Sequence, residues 1–369
     1  MFWGRFKPNQ LPIGIDVGEH SVRLLQIGRR GASLRVIAAA SAELSSGPAA
    51  DTTHYHQAVT DAIKSSLDRG GFSGNLAVST LPSSAVQCKN LRLPLMPADE
   101  LHSAVEWEAT ERFRMGDGQC AVQFLEAGTV QQGDEQRQEL IMLAARKSYI
   151  TAHVKSLGQA GLKLQAIDST PTALTRLLAL QASTAGADSF RVAVHLGSSD
   201  TKILVVDSGR IRFYKVIEIG VRHLDSVISG KLNLPIDQAR DLHAEIGIGE
   251  TDAETLVKVR GALAPTLGEL GREISLCLRY YGVTFRGPRP NRGTMLGEGS
   301  SDWLCRMLSE SCGITLEPKN PLEGIDFSEV DTQPGVAPAS SWGVAAGLSL
   351  RPYKIHTNHE IKTVEGVAA

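Results

Sequence analysis

The chain has no apolar run approaching the ~20 residues that cross a bilayer, and no excess of charge of either sign. Its 38 Lys and Arg stand against 40 Asp and Glu, which leaves no basic field to gather nucleic acid. Aromatic residues make up only 5%; the pair Trp107 and Phe113 reads as core or subdomain interface rather than a platform for bases. Five cysteines (Cys88, Cys120, Cys277, Cys305, Cys312) include no Cys-x-x-Cys spacing and leave one odd. That pattern points to a reduced compartment without disulfides. Metal ligands are equally thin: His54 and His56 have no partner at ligand spacing and read as solvated surface. The opening Met1-Phe2-Trp3-Gly4-Arg5-Phe6-Lys7-Pro8 has no apolar signal region. Its aromatics and two cations suit either a frayed leader or a touch on a membrane surface. The 369 residues, 42% hydrophobic, describe an ordinary soluble, cytoplasmic protein long enough for two cores.

What is present starts with a repeat. Ile13-Gly14-Ile15-Asp16-Val17-Gly18-Glu19-His20-Ser21-Val22-Arg23-Leu24-Leu25-Gln26-Ile27 reads as two apolar strands joined by a turn at Gly18. The pattern returns in Val192-Ala193-Val194-His195-Leu196-Gly197-Ser198-Ser199-Asp200-Thr201-Lys202-Ile203-Leu204-Val205-Val206. Apolar positions, the glycine and a cation (Arg23, Lys202) fall in register, which implies two related lobes. The first strand carries Asp16 where the second carries His195.

Along the chain, Leu34–Ala40 makes a third strand, and a helix runs from about Tyr55 to Arg69, stopped by Gly70-Gly71. A short buried strand covers Leu76–Ser79. From Ser84 the texture changes: a strand over Val86–Leu93, a helix with Pro97 at its first position, and strands Ala121–Glu126 and Glu139–Ala145 around a polar loop 128–138. A helix from Ser148 to Ala160 ends this α+β insert. Leu162–Ile167 returns as a strand, and Thr170-Pro171 opens a helix to about Leu180. Residues 181–189 read as a linker. The second hairpin, a third strand over Ile211–Ile219 and helices at 224–232, 235–246 and 265–281 follow. Thr294–Leu296 is a strand before Gly297-Glu298-Gly299; Asp302–Ser311 is a helix, 320–340 a loop, Trp342–Arg351 a close-packing helix, and the tail from Lys354 disordered. These readings place the first lobe's core in 1–83, 163–185 and 342–369, the insert in 84–162, the second lobe's core in 186–220 and 291–341, and a helical subdomain in 221–290.

The order of these segments, with Leu93–Leu101, Ala160-Gly161-Leu162 through Asp168, Glu269–Tyr281, Pro318–Leu322 and Trp342–Arg351, resembles the PilM family. This is the actin-like family of type IV pilus assembly, related to FtsA and to the type II secretion platform protein. The resemblance implies an α/β fold of two actin-like (ribonuclease H-like) lobes, with the insert in lobe one and the helical subdomain in lobe two. It implies a cytoplasmic scaffold, peripheral at the inner membrane. Its partner is the N-terminal cytoplasmic peptide of a PilN-like single-span protein, with pilus assembly ATPases as further partners and no nucleic acid. It places the peptide groove near Leu95, Met96, Trp107, Ala166 and Asp168.

In such folds glycine turns and hydroxyls hold phosphates, and acidic strand ends hold Mg²⁺ or water. Asp16, Gly18, Arg23, Gly197, Ser198 and Thr201 match those roles. Taken singly, each glycine also fits a plain hairpin turn. Four departures mark the implied cleft as degenerate, with ATP and Mg²⁺ bound weakly or lost. Glu19 replaces a small hydroxyl residue; a carboxylate ~4 Å from a phosphate charge costs a few kcal/mol at an effective dielectric of ~20. His195 replaces an acidic residue. Glu298 interrupts Gly297 and Gly299. Ala239-Arg240-Asp241-Leu242-His243 has lost the family's glutamate and lysine, leaving Arg240. His195 and Asp16 are the candidates for catalysis, should any persist. Two other readings stay open: an active ATPase or small-molecule kinase of the actin superfamily, and an FtsA-like membrane-tethered filament protein.

Overall fold

The computed structural model describes residues 9–31, 33–45, 47, 52–113, 118–185, 190–287, 289–328, 330 and 339–353. The leader and the tail from Lys354 lie outside them. The chain opens with β1 (Gln10–Val17), β2 (Ser21–Arg30) and β3 (Ser33–Glu43), then α1 (Thr52–Gly70) and β4 (Leu76–Thr80). Next come β5 (Gln87–Pro94), α2 (Ala98–Phe113), β6 (Cys120–Gln132), β7 (Glu135–Arg146) and α3 (Lys147–Gln159). β8 (Lys163–Asp168) and α4 (Thr170–Ala185) precede β9 (Phe190–Leu196), β10 (Thr201–Asp207) and β11 (Arg210–Ile217). Then follow α5 (Val221–Leu232), α6 (Ile236–Ile248), α7 (Ala253–Phe285), β12 (Arg292–Leu296), α8 (Asp302–Cys312) and β13 (Thr315–Pro318). β14 (Ile325–Asp326) and α9 (Gly343–Ser349) end the described fold.

The chain divides into two compact units. The first takes residues 1–189, 208–211 and 321–369; the second takes 190–207 and 212–320. The first unit is built on a sheet of order β14-β3-β2-β1-β4-β8, in which β1, β4 and β8 run parallel. Alternation along β1 sends Ile13, Ile15 and Val17 to one face, where they meet Tyr55, Val59 and Ile63 of α1 and Leu157 of α3. On the other face Leu25 and Ile27 of β2 meet Leu177 of α4 and Trp342, Ala345 and Ala346 around α9. Gly14 is why α9 lies directly on the strand: a Cβ there would stand 1.9 Å from the Ala345 carbonyl oxygen. Ser349 closes the contact, its hydroxyl donating to the Pro12 carbonyl (2.7 Å) and accepting from the Ile27 N–H (3.1 Å), beside a break in β2–β3 register.

The insert is a three-stranded sheet of order β5-β7-β6 with α2 against one face. Leu101, Val105, Ala109 and Phe113 of α2 recur at helical spacing and meet Leu91, Phe124, Leu140 and Met142. Lys89 of β5 donates to the Arg112 carbonyl at the C-terminal end of α2, a favourable place for a cation. The second unit is built on a sheet of order β11-β10-β9-β12-β13, with β9, β12 and β13 parallel. Its first five strands in chain order thus repeat β3-β2-β1-β4-β8 of the first unit: an antiparallel meander followed by two parallel strands.

Several expectations change. Pro97 precedes α2, its carbonyl accepting from the Leu101 N–H (2.9 Å), so it caps the helix and is not its first helical residue. The stretch 128–138 is no loop but the outer half of the β6–β7 ribbon, paired from Gly128↔Glu139 to Gln132↔Glu135; its polar residues face water on a two-stranded arm. α4 continues to Ala185 through the expected linker. Pro265 sits inside the 33-residue α7 and does not start it. Residues 321–330 belong with the first unit, not the second: β14 pairs with β3, and Leu322, Phe327 and Val330 join the cluster around Trp342. His56 is buried, its ring 4.8 Å from that of Tyr149, while His54 is exposed. Phe113 is core, but Trp107 is 65% exposed.

Candidate functional site

In open α/β sheets ligands gather beyond the carboxyl ends of parallel strands. In the first unit those ends are Asp16 of β1, Thr80 of β4 and Asp168 of β8. The Thr80 hydroxyl donates to Asp16 Oδ1 (3.3 Å), and Asp16 sits across the β1–β2 pair from Arg23. The turn between β1 and β2 is held from three directions. Its Gly18 N–H donates to the Ser21 carbonyl (2.9 Å). The Gly18 carbonyl accepts from the Tyr55 hydroxyl (2.7 Å), whose burial drives its pKa strongly upward. Glu19 Oε1 accepts from the Ser84 N–H (3.2 Å), at the point where the chain leaves for the insert. The residue read as a disruption of phosphate binding is therefore a tie between turn and insert.

The equivalent end in the second unit is made by the β9–β10 turn, the N-terminus of α5 and the loop 297–301. Gly197 N–H donates to the Asp200 carbonyl (2.8 Å), the bond Gly18 makes in the first hairpin. The Val221 and Arg222 N–H groups at the start of α5 donate to the carbonyls of Gly197 and Ser198 (3.0 Å each). Such N–H groups are the usual anion donors of a helix start, and here the protein itself uses them. Thr201, matched to a phosphate-side donor, is fully buried and its hydroxyl donates to the Ile219 carbonyl (2.6 Å). Gly297 takes φ +97°, and a Cβ on it would stand 2.2 Å from the Leu196 carbonyl oxygen, so the third loop seats on the end of β9. Glu298 is half-buried beside it. His195 is buried opposite Lys202 in the β9–β10 pair. Asp200, which the sequence reading passed over, forms a buried ion pair with Lys202 in this turn. A carboxylate within the turn was the signal that could have found it.

The remaining candidates scatter. Arg240 of α6, half exposed, points to Asp225 of α5 (4.0 Å), which also holds His243 Nδ1 (2.6 Å); the buried Asp225–His243 pair joins two helices. Ala166 is buried in β8, paired with Val78, and offers no surface. Asp168 accepts from the Ser169 N–H (2.7 Å), and pairs with Arg176 and with Arg351 (3.4 Å). Its charge is already matched, and it fixes the start of α4. Leu95 (52% exposed) and Trp107 stand out from the insert, with Met96 half-buried against its core. Trp107 lies on the face of α2 opposite Leu101 and Val105, among Glu100, Glu106, Glu108 and Glu111. Among the described residues no cluster of three or more His, Cys, Asp or Glu could hold a metal ion, and no helix is long and apolar enough to cross a membrane.

Two sheets of one strand order, each with a glycine turn at the end of its first strand, define an actin-like α/β protein. The family model of the type IV pilus assembly protein PilM matches residues 14–353, and the chain belongs to that family. Among solved structures it is similar to a chain of the PilM–PilN type IV pilus biogenesis complex, at 22% identity over 93% of this chain and 98% of that one, with a TM-score of 0.74. The ethanolamine utilization protein EutJ from Carboxydothermus hydrogenoformans shares the fold at 14% identity, 94% and 92% coverage and a TM-score of 0.54.

Proposed function

We propose that this protein is a scaffold of a type IV pilus machine that holds the N-terminal peptide of a PilN-like single-span membrane protein on its insert. Membership of the PilM family carries the reading, and the relative solved as a PilM–PilN complex supports the choice of partner. The surface that suits the peptide is the rim of β5 and α2, where Leu95 and Trp107 expose apolar area that the insert's own core does not use. β5 pairs only with β7 among the described residues, so an extended peptide can add its backbone there. Met96 adapts to a docked side chain. Ala166 and Asp168 drop out of the groove, the first by burial and the second by its arginine partners.

Donors suited to phosphate are engaged within the protein, the Thr201 hydroxyl with the Ile219 carbonyl and the N–H groups of the α5 N-terminus with the β9–β10 turn, while the Glu19 carboxylate accepts from the Ser84 N–H. This supports weak nucleotide binding and argues against an efficient ATPase. Asp200 restores a carboxylate near the position of His195, but Lys202 neutralises it. The deciding experiment is calorimetric titration of the full chain with the cytoplasmic N-terminal peptide of its single-span partner. Trp107→Ala and Leu95→Ser should each weaken binding about tenfold or more, the size of a loss at a central apolar anchor. Affinity unchanged in both variants would place the peptide elsewhere.

A further inference from the structure

The second unit carries an apolar stripe that its own core does not use. In α7, Leu270, Ile274, Cys277, Leu278 and Tyr281 pack inward, while Leu276, Tyr280 and Val283 recur at i, i+4 and i+7 on an outer side. Leu276 is 47% and Val283 75% exposed. The three cover two helical turns, about 10 Å along the axis. β11, which pairs only with β10 among the described residues, bounds one side of the stripe. There the Phe213 and Tyr280 rings lie 5.4 Å apart, and Lys215 Nζ donates to Glu273 (2.6 Å). The other side is basic. Arg272 and Arg279 stand a heptad apart, a spacing that drifts only ~20° around a helix, and both are exposed. Neither forms an ion pair among the described residues. Arg286, also exposed, follows at the C-cap.

An apolar ridge beside unmatched guanidinium groups is one half of a helix-in-groove contact. Ridges at this spacing fit the grooves of another helix. The complementary helix carries apolar side chains at the same spacing with Asp or Glu along one flank, since guanidinium and carboxylate pair through two parallel bonds. A second copy is the poorer occupant: laid antiparallel on this face, it would set arginine against arginine, and β11 closes the opposite flank. A membrane is poorer too, because Glu269, exposed on the same side of α7, would be pressed against anionic headgroups. We propose that the outer face of α7 docks an acidic amphipathic helix of another protein, with Leu276, Tyr280 and Val283 as the apolar contact and Arg272 and Arg279 holding its carboxylates. This face shares no residue with the surface assigned to the PilN-like peptide.

The test is fluorescence anisotropy of a labelled synthetic helix about four turns long, with Leu at i, i+4 and i+7 and Glu along one flank, titrated with the full chain in low salt. Binding should saturate, and weaken as salt rises. Leu276→Ser and Val283→Ser should each lower affinity about tenfold. Arg272→Glu with Arg279→Glu should lower it about tenfold or more. The melting temperature should hold in all of these variants, since the altered side chains are exposed. Lys258→Ser, on the same helix but about 21 Å from Arg272, should stay within about twofold. No saturable binding, equal binding of a peptide with Lys in place of Glu or with its residues scrambled, or equal loss in the Lys258 variant would overturn the proposal. So would concentration-dependent dimerisation lost in Val283→Ser, which would make a second copy the occupant. Flotation with anionic vesicles, lost in the arginine variant, would overturn it in favour of a membrane.

Discussion

Two histidines dominate the chemistry at the scale of single residues. His153 of α3 is wholly buried, its Nε2 3.1 Å from the Ser79 hydroxyl, and burial together with nearby His56 drives its pKa down to about 3. His56 is lowered as well, by burial. A histidine with a depressed folded pKa contributes stability that is complete above its unfolded value of ~6.5 and lost as pH falls towards the folded value. Stability should therefore drop between pH 6.5 and 3, with His153 alone accounting for about 2 kcal/mol at pH 5. Urea titrations at pH 7 and 5 should show this loss, and His153→Leu should flatten the pH dependence whatever it does to stability at pH 7. The cysteines run the other way. All five are unpaired, and burial raises Cys88 and Cys305 to about 12 and Cys277 to about 11. These thiols favour folding below their unfolded value and lose that contribution as pH rises above ~9. In the native protein at pH 8, alkylation of the buried Cys277 and Cys305 should be far slower than in urea; rates equal in both would contradict their burial.

For the elements, close backbone contact is the governing fact. α9 can lie on β1 and α4 because Gly14 and Gly347 carry no side chain; a Cβ at 347 would stand 2.1 Å from the Ala173 carbonyl oxygen. Backbone cannot yield as a flexible side chain can. Gly14→Ala and Gly347→Ala should each destabilise the chain by about 3 kcal/mol or more, the upper range of overpacking. Gly158→Ala, in α3 with open space around the added methyl, should be neutral or stabilising by up to about 1 kcal/mol. Thermal melts of the three variants make the comparison, and equal shifts would refute it. The Ala/Gly composition of Trp342–Arg351 makes the close packing legible in sequence. β13 was not legible: Thr315-Leu316-Glu317-Pro318 offers one buried apolar residue in four, and its pairing to β12 is what makes it a strand.

Over the whole molecule, the turn at Gly18 and the start of the insert are tied together within the first unit. Tyr55 of α1 and Ser84 both hold the turn, and α1 also packs against α3 at the end of the insert. Glu19→Ser removes the tie to Ser84 along with a negative charge. With that charge gone, Glu19→Ser should improve Mg-ATP affinity over the unaltered chain. Calorimetric titration reads this directly. Tight binding by the unaltered chain, with steady phosphate release, would instead restore an enzyme.

The duplicated hairpin and the helices were written in the sequence, because glycine turns, two-residue alternation and 3.6-residue spacing are local properties; the family was legible only through the resemblance of its motifs and their order. The sheet orders follow the same repeat, and the actin-like class with it. What only the tertiary structure decided is where the polar groups point. Thr201 carries a hydroxyl that suits phosphate, yet it faces Ile219. Asp168 looked available to a partner, yet Arg176 on the following helix and Arg351, distant in sequence, surround it. His56 read as surface until α3 covered it. Each of these depends on a residue far along the chain, and the pairing of remote groups in space leaves no period in the sequence from which it can be read.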